Sequence, residues 1–77
     1  LKMSQSQKWI ADTVTSKRKA MGLTREQLSW DAGVAAATIR NLEMNYHNIT
    51  YNKLALIVEA LGMELELMDI DAPQEID

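Results

Sequence analysis

The side chains in this sequence that could do chemistry are basic, hydroxyl and amide groups, and they are not arranged as an enzyme active site. The chain has no cysteine and a single histidine, His47. It therefore lacks thiolate ligands and disulfides, and one histidine without clustered carboxylates makes a poor metal or catalytic site. No nucleophile–base pair or phosphate-binding loop is present. The sequence predicts no enzyme, metal or cofactor, which leaves hydrogen bonding and charge neutralisation as the available chemistry.

The charged residues are divided unevenly along the chain. The net charge is −3, yet residues 1–42 carry seven of the eight basic residues, whereas residues 43–77 carry eight of the eleven acidic ones. The first part is therefore basic (+4) and the second acidic (−7). A basic part can face the phosphates of a nucleic acid and an acidic part cannot. An unevenly charged, solvated surface is the alternative explanation of this pattern.

Length and composition limit the class of protein. The 77 residues, 47% of them hydrophobic, make one small domain with a marginal core, so a partner subunit would stabilise it. No apolar segment approaches the ~20 residues of a membrane span, and the polar N-terminus lacks an apolar signal core. We expect a cytoplasmic protein that does not bind membranes.

Four helices are predicted to position the polar groups. The first is predicted over residues 7–21, where apolar side chains recur at helical spacing and a glycine follows. Residues 1–6 before it are expected to be flexible. The fourth helix begins after Thr50 and ends at Gly62, with an apolar stripe along one face. The helical domain is therefore placed at residues 7–62.

Helices two and three are short and joined by a tight turn. Thr24 and Gln27 form a capping box at the start of helix two, which is predicted over residues 25–32. Gly33 then allows the positive φ angle that such a turn usually needs, and helix three is predicted over residues 35–44. Two short helices joined in this way are typical of a helix-turn-helix motif, whose second helix enters the major groove of DNA.

After the fourth helix the pattern changes from helical to alternating. Residues 63–67 alternate apolar and acidic side chains, as a half-buried strand does, and residues 68–71 continue the alternation one step out of phase. Residues 72–77 form an acidic tail that is expected to fray. A single strand leaves backbone groups without partners, and the simplest remedy is pairing with the same strand of a second copy. We therefore predict a homodimer whose interface includes Leu65, Leu67 and Met68.

Three segments around the turn, and the helix that follows them, carry a specific residue pattern. The segments are Gly22-Leu23-Thr24-Arg25-Glu26-Gln27-Leu28, Ala32-Gly33-Val34, Thr38-Ile39-Arg40-Asn41-Leu42-Glu43 and Leu54-Ala55-Leu56-Ile57-Val58-Glu59-Ala60-Leu61-Gly62. This pattern closely resembles the Cro/cI-repressor (Xre) family over about residues 14–62. The resemblance implies a mainly α, lambda-repressor-like four-helix domain that binds double-stranded DNA, to which this sequence adds a C-terminal β-strand.

The resemblance also implies roles for individual residues. Arg18, near the end of helix one, is expected to pair with Glu43, so that an acid close to DNA is occupied internally. Thr24, Arg25 and the free amides at the start of helix two match the family's phosphate clamp. Phosphate on the other side would be held by Arg40, Asn45, Tyr46 and Asn48.

The family's main base-reading positions, at the start of helix three, are here Ala35, Ala36 and Ala37. Alanine can contact a thymine methyl group and little else. Thr38, Arg40 and Asn41 therefore remain as the polar candidates for base readout. The alanines could equally reflect helix propensity, with readout that is weak or based on DNA shape.

The end of the chain suggests a narrower resemblance. The strand pattern Glu64-Leu65-Glu66-Leu67-Met68 and the length of the loop from Asn45 to Thr50 are similar to those of HipB-type antitoxins, which dimerise through a C-terminal strand and pair with a kinase-fold toxin. Two functions stay open. One is a homodimeric transcriptional regulator, such as a repressor, on an operator with two half-sites. The other is an antitoxin-like subunit that neutralises a toxin, with DNA binding secondary.

Overall fold

The computed structural model describes residues 3–46 and 49–65. Four helices occur in this part of the chain, in the predicted order: α1 (Met3–Ala20), α2 (Arg25–Ala32), α3 (Ala36–Glu43) and α4 (Tyr51–Ala60). The mainly α class is confirmed. The predicted strand at residues 63–71 is not confirmed, because residues 63–65 form no strand. The rest of that segment, and the predicted tail at residues 72–77, lie outside the described residues.

Helix α1 is longer at its start than the sequence predicts. It begins at Met3 rather than Gln7, so residues 3–6, which we expected to be flexible, are helical. The reason is that no proline or glycine precedes Gly22, and only those residues strongly oppose helix extension. The helix ends at Ala20, where the Gly22 amide donates to the Lys19 carbonyl at 3.0 Å.

The predicted caps at the starts of α2 and α4 are confirmed. Thr24 Oγ1 accepts from the Gln27 amide at 3.0 Å, and the Gln27 side chain accepts from the Thr24 amide at 2.8 Å. These two bonds complete the capping box, which satisfies donors that a helix start leaves without partners. Thr50 Oγ1 accepts from the Lys53 amide at 3.3 Å in the same role. Ala35, by contrast, caps α3 without any side-chain hydrogen bond.

The turn between α2 and α3 depends on the backbone freedom of Gly33. Its φ angle is +74°, in the left-handed region, and its amide donates to the Ser29 carbonyl at 2.9 Å. A Cβ atom added at this position would meet nothing within 4 Å. The glycine is therefore required by its φ angle and not by close packing.

The chain leaves helix α3 through an asparagine, two residues after Glu43, where the other helices are followed by glycines. Asn45 has a φ angle of +58° and is the one non-glycine residue in the described ranges with a positive φ. Its amide donates to the Leu42 carbonyl at 3.1 Å, and the Tyr46 amide donates to the Asn41 carbonyl at 3.0 Å. This pair of bonds is a Schellman motif, which folds the chain back along the helix that it ends.

One apolar core holds the four helices together. Its fully buried members come from all of them and include Val14, Leu28, Ile39 and Ile57. Helix α3 packs against both α1 and α2, and α2 also packs against α4. The helix predicted to enter DNA, α3, is therefore supported by two other helices on its buried side. None of the helices in the described ranges is both long and apolar enough to cross a lipid bilayer.

Candidate nucleic-acid interface

The ion pair expected between α1 and α3 is present. Arg18 Nε donates to Glu43 Oε2 at 2.6 Å and Arg18 Nη2 donates to Oε1 at 3.1 Å, while Nη1 donates to the Leu23 carbonyl at 2.8 Å. The side chains are 9% and 1% exposed, respectively. Because the ion pair is bidentate and almost inaccessible to solvent, it restrains the angle between α1 and α3 and also neutralises both charges.

Arg25 joins this pair, which the sequence did not predict. Its Nε atom donates to Glu43 Oε1 at 2.9 Å, and its side chain is 38% exposed. The single carboxylate of Glu43 therefore pairs with two guanidinium groups. Their combined charge exceeds that of the carboxylate, so a net positive charge remains at the surface. The start of α2 lies beside the end of α3 as a result. No helical periodicity relates Arg25 to Glu43, so residue spacing alone gives no signal for this contact.

The Glu43 carboxyl group is held in its ionised form. Burial by itself would raise its pKa, but hydrogen bonds from Arg18 and Arg25, together with their positive charges, outweigh burial and lower the pKa below its usual value of 4.5. The carboxylate is thus occupied internally, and it presents little negative potential to an approaching phosphate.

The first turn of α2 offers backbone donors beside Arg25. The Leu28 amide bonds to the Thr24 carbonyl, and the Gln27 amide bonds to Thr24 Oγ1. Among the described residues, the Arg25 and Glu26 amides are left without an intrahelical acceptor, as the first amides of a helix are. The Thr24 hydroxyl accepts through its oxygen and keeps its own proton to donate. Such a turn can bind an oxyanion.

The outer face of α3 presents the residues expected to read bases. Ile39 and Leu42 are buried, at 0% and 4% exposure, so the opposite face of α3 points toward solvent. Arg40 is exposed, and Thr38 and Asn41 are partly exposed. Of the three alanines, Ala35 and Ala37 are exposed and Ala36 is partly exposed.

A second unpredicted contact lies at the end of this face. The Arg40 guanidinium carbon is 5.9 Å from the centroid of the Tyr46 ring, within the range of a cation–π interaction. The two residues are separated by a helix end, so helical spacing gives no indication of the contact. Asn45 is exposed, and its backbone forms the turn between them. The other loop residues, His47 and Asn48, lie outside the described residues.

Two tryptophans are largely exposed. Trp30 is 73% exposed and Trp9 is 69% exposed. Of the predicted dimer residues, Leu65 is partly buried against the core of its own chain, as is Met63. The other two, Leu67 and Met68, lie outside the described ranges.

Comparison with known proteins agrees with this geometry. A family model described as helix-turn-helix matches residues 15–68, and no curated protein matches the chain in sequence. A solved structure of a mutant of the restriction-modification controller protein C.Esp1396I is similar, with a TM-score of 0.70 and 24% identity over 75% of each chain. At that identity the likeness shows the fold alone. The chain belongs to the helix-turn-helix family, of the Cro/cI-repressor (Xre) type, whose members are DNA-binding transcriptional regulators.

Proposed function

We propose that the chain is a sequence-specific transcriptional regulator that binds, as a homodimer, an operator with two half-sites. The observation that carries the proposal is the Arg25–Glu43 contact of 2.9 Å. It joins the start of α2 to the end of α3, so that the backbone donors of one helix and the outward face of the other form a single surface. Phosphate and base contacts can then be made together.

Phosphate binding is assigned to the start of α2. The Arg25 and Glu26 amides, the Thr24 hydroxyl proton and the Arg25 guanidinium all lie in this turn. Only the Nε atom of Arg25 is engaged among the described residues, which leaves the Nη groups to meet a phosphate oxygen. Lys17 and Lys19 are exposed at the end of α1 and add positive potential.

Base readout is assigned to Thr38, Arg40 and Asn41. They are the polar side chains that α3 exposes at least partly on its outer face, and each can donate to or accept from a base edge in the major groove. Ala35 and Ala37 can add contacts with thymine methyl groups. Asn45 is assigned a phosphate contact at the far end of the helix.

The homodimer is supported by an apolar groove beside the C-terminal segment. The groove has a volume of about 200 Å³ and is lined by Trp9, Ile10, Val14, Met63 and Leu65, among others. A second copy that covers it would also shield the exposed Trp9 ring, and the core of so short a chain benefits from that burial. A twofold dimer would place its recognition helices about 34 Å apart, one turn of DNA.

DNA binding is tested with the purified chain and fluorescently labelled duplexes. Sequences are first selected from a random pool, and the best is then compared with a scrambled duplex at two salt concentrations. We expect nanomolar-range binding that weakens steeply with salt, as when several phosphates are neutralised. Arg40→Ala should reduce the preference for the selected duplex.

A charge-matched control is available in Lys8, which is exposed and pairs with Asp12 at 3.3 Å on α1. Lys8→Ala removes the same charge and should leave both affinity and preference near wild type. Equal losses in Lys8→Ala and Arg40→Ala would mean that the binding follows net charge and not the α3 surface.

A second candidate function, an antitoxin-like interaction subunit, is favoured by the exposed rings of Trp30 and Trp9. Exposed tryptophans are uncommon on monomers and enriched where proteins bind each other. The test is co-expression with the product of the adjacent gene, followed by size-exclusion chromatography. Co-elution that Trp30→Ala abolishes, with DNA binding unchanged, would favour this function. Failure to co-elute would favour a regulator that acts alone.

A further inference from the structure

The three arginines of the helix-turn-helix region are held in two different ways. Arg18 and Arg25 both donate to the Glu43 carboxylate. Arg40 makes no ion pair with any described residue, and its guanidinium lies instead over the Tyr46 ring at 5.9 Å. The guanidinium carbon lies over the face of the ring, and no hydrogen bond to a described residue engages the Arg40 N–H groups, so they stay available to an acceptor. An arginine held in this way can donate in the plane to a planar pair of acceptors.

The position of the Tyr46 ring follows from the turn that ends α3. Asn45 takes a φ angle of +58°, and the Tyr46 amide donates to the Asn41 carbonyl at 3.0 Å. These features fold residue 46 back beside the last turn of the helix, where Arg40 projects. Asparagine is among the non-glycine residues that adopt this backbone conformation most readily. The residue type at position 45 therefore favours this turn, and the turn sets the position of the Tyr46 ring.

Arg40 is also the side chain on this face with the most to gain from being held. It has many rotamers, and fixing a free arginine costs up to ~2 kcal/mol of conformational entropy. The alanines earlier in the helix supply no hydrogen bonds, so much of the direct readout depends on Arg40. The base edge that suits an in-plane arginine is guanine, through its O6 and N7 acceptors.

We propose that Tyr46 is a positioning residue for Arg40, and that Arg40, restrained by this cation–π contact, reads a guanine in each half-site. This inference rests on the proposed DNA-binding function. Tyr46 acts through the arginine and does not itself contact the base. Its effect is therefore on discrimination between sequences and not on general affinity for DNA.

The test compares Tyr46→Phe with Tyr46→Leu. Phenylalanine keeps the aromatic face and loses the hydroxyl, whereas leucine keeps apolar bulk and loses the face. Binding is measured to the selected duplex and to the same duplex with 7-deazaguanine at the guanine, which removes the N7 acceptor. We expect Tyr46→Phe to keep the wild-type preference within about twofold, and Tyr46→Leu to lose about two- to fivefold of it, from the strength of exposed cation–π contacts.

A double-mutant cycle completes the test. If Tyr46 acts through Arg40, adding Tyr46→Leu to Arg40→Ala should cause no further loss of preference, because the two residues share one interaction. The scrambled duplex should bind Tyr46→Phe and Tyr46→Leu as it binds the wild type, and the double mutant as it binds Arg40→Ala. NMR supplies a readout without DNA: the Arg40 δ protons should be shifted upfield by the ring in wild type and Tyr46→Phe, and not in Tyr46→Leu.

The outcomes separate this inference from the proposed function. Equal loss on matched and scrambled duplexes in Tyr46→Phe would mean that the hydroxyl contacts phosphate, and would overturn the positioning role alone. Additive losses in the double mutant, or no ring shift of Arg40 in wild type, would also overturn it alone. Wild-type protein that shows no salt-dependent DNA binding would overturn the proposed function, and this inference with it.

Discussion

Arg18 and Glu43 lie 25 residues apart in the sequence and meet through two hydrogen bonds, of 2.6 and 3.1 Å. The first residue belongs to the last turn of α1 and the second is the last residue of α3. Neither helix could tilt without breaking a bond to a side chain that is 1% exposed. The ion pair therefore orients α3, and through the third bond, from Arg25, it also orients the start of α2.

Removing either member of this pair should destabilise the fold strongly. In Arg18→Ala the Glu43 carboxylate loses its closest partner, and in Glu43→Ala the buried guanidinium does; breaking a buried pair from one side typically costs about 3–5 kcal/mol. Arg25→Ala removes a partly exposed group and should cost no more than about 1 kcal/mol. Urea denaturation measures the three free energies of unfolding. Equal values for Arg18→Ala and Arg25→Ala would contradict this ranking.

The lowered pKa of Glu43 predicts how stability depends on pH. Because the folded-state pKa lies below the unfolded value of about 4.5, the carboxylate's contribution is fully present above that value and is lost as the pH falls through the folded pKa. Glu43→Gln should remove this acid-sensitive part. Glu59→Gln, at an exposed position on α4, is the matched control and should retain it. Parallel pH profiles for wild type and Glu43→Gln would refute the assignment.

The turn glycine should tolerate substitutions according to backbone preference and not size. Gly33→Ala meets no atom within 4 Å of the added Cβ, so its cost should be the ~1–2 kcal/mol of an alanine forced into the left-handed region. Gly33→Asn is larger but adopts positive φ more readily, and should be the less destabilising of the two. Thermal unfolding ranks them, and the opposite order would indicate a steric requirement.

Affinity and specificity should be separable by mutation. Arg25→Ala should weaken binding to all sequences alike and lower the slope of log affinity against log salt by about one phosphate contact. Thr38→Ala and Asn41→Ala should instead relax discrimination at a base pair by roughly 1–3 kcal/mol each. Competition binding at two salt concentrations distinguishes these effects. If neither of these two variants changes the ratio of matched to scrambled affinity, Thr38 and Asn41 make no base-specific contact, and readout lies in Arg40 or in DNA shape.

The dimer should depend on residues beyond Leu65. Truncation after Leu65 keeps Met63 and Leu65, which pack on the core of their own chain, and removes Leu67 and Met68. We expect a folded monomer that binds half-sites weakly, because one of its two recognition helices is missing. Analytical ultracentrifugation and circular dichroism check mass and folding together. A truncated chain that sediments as a dimer would place the interface elsewhere.

Local signals in the sequence were sufficient to predict most of the helices. The Thr24 and Gln27 capping box, the Thr50 cap and the Gly33 turn act over a few residues, so they can be read without knowing the fold. The start of α1 was missed because an N-terminus with no helix breaker carries no positive signal either.

The site was predicted less completely because its contacts cross the fold. The Arg18–Glu43 pair was expected only through the family resemblance. The Arg25 bond to the same carboxylate, and the contact of Arg40 with the Tyr46 ring, depend on how the ends of the helices are placed in space. No periodicity or propensity contains that information.

The bare N-cap of α3 places stability and DNA affinity in opposition. Aspartate at position 35 would bond to the first amides of the helix and add about 1 kcal/mol to the stability of the fold. The same carboxylate would put a negative charge at the start of the helix that is proposed to enter the groove. With Ala35 the helix lacks this stabilising cap. Selection for thermostability and selection for operator binding would therefore favour different residues at position 35.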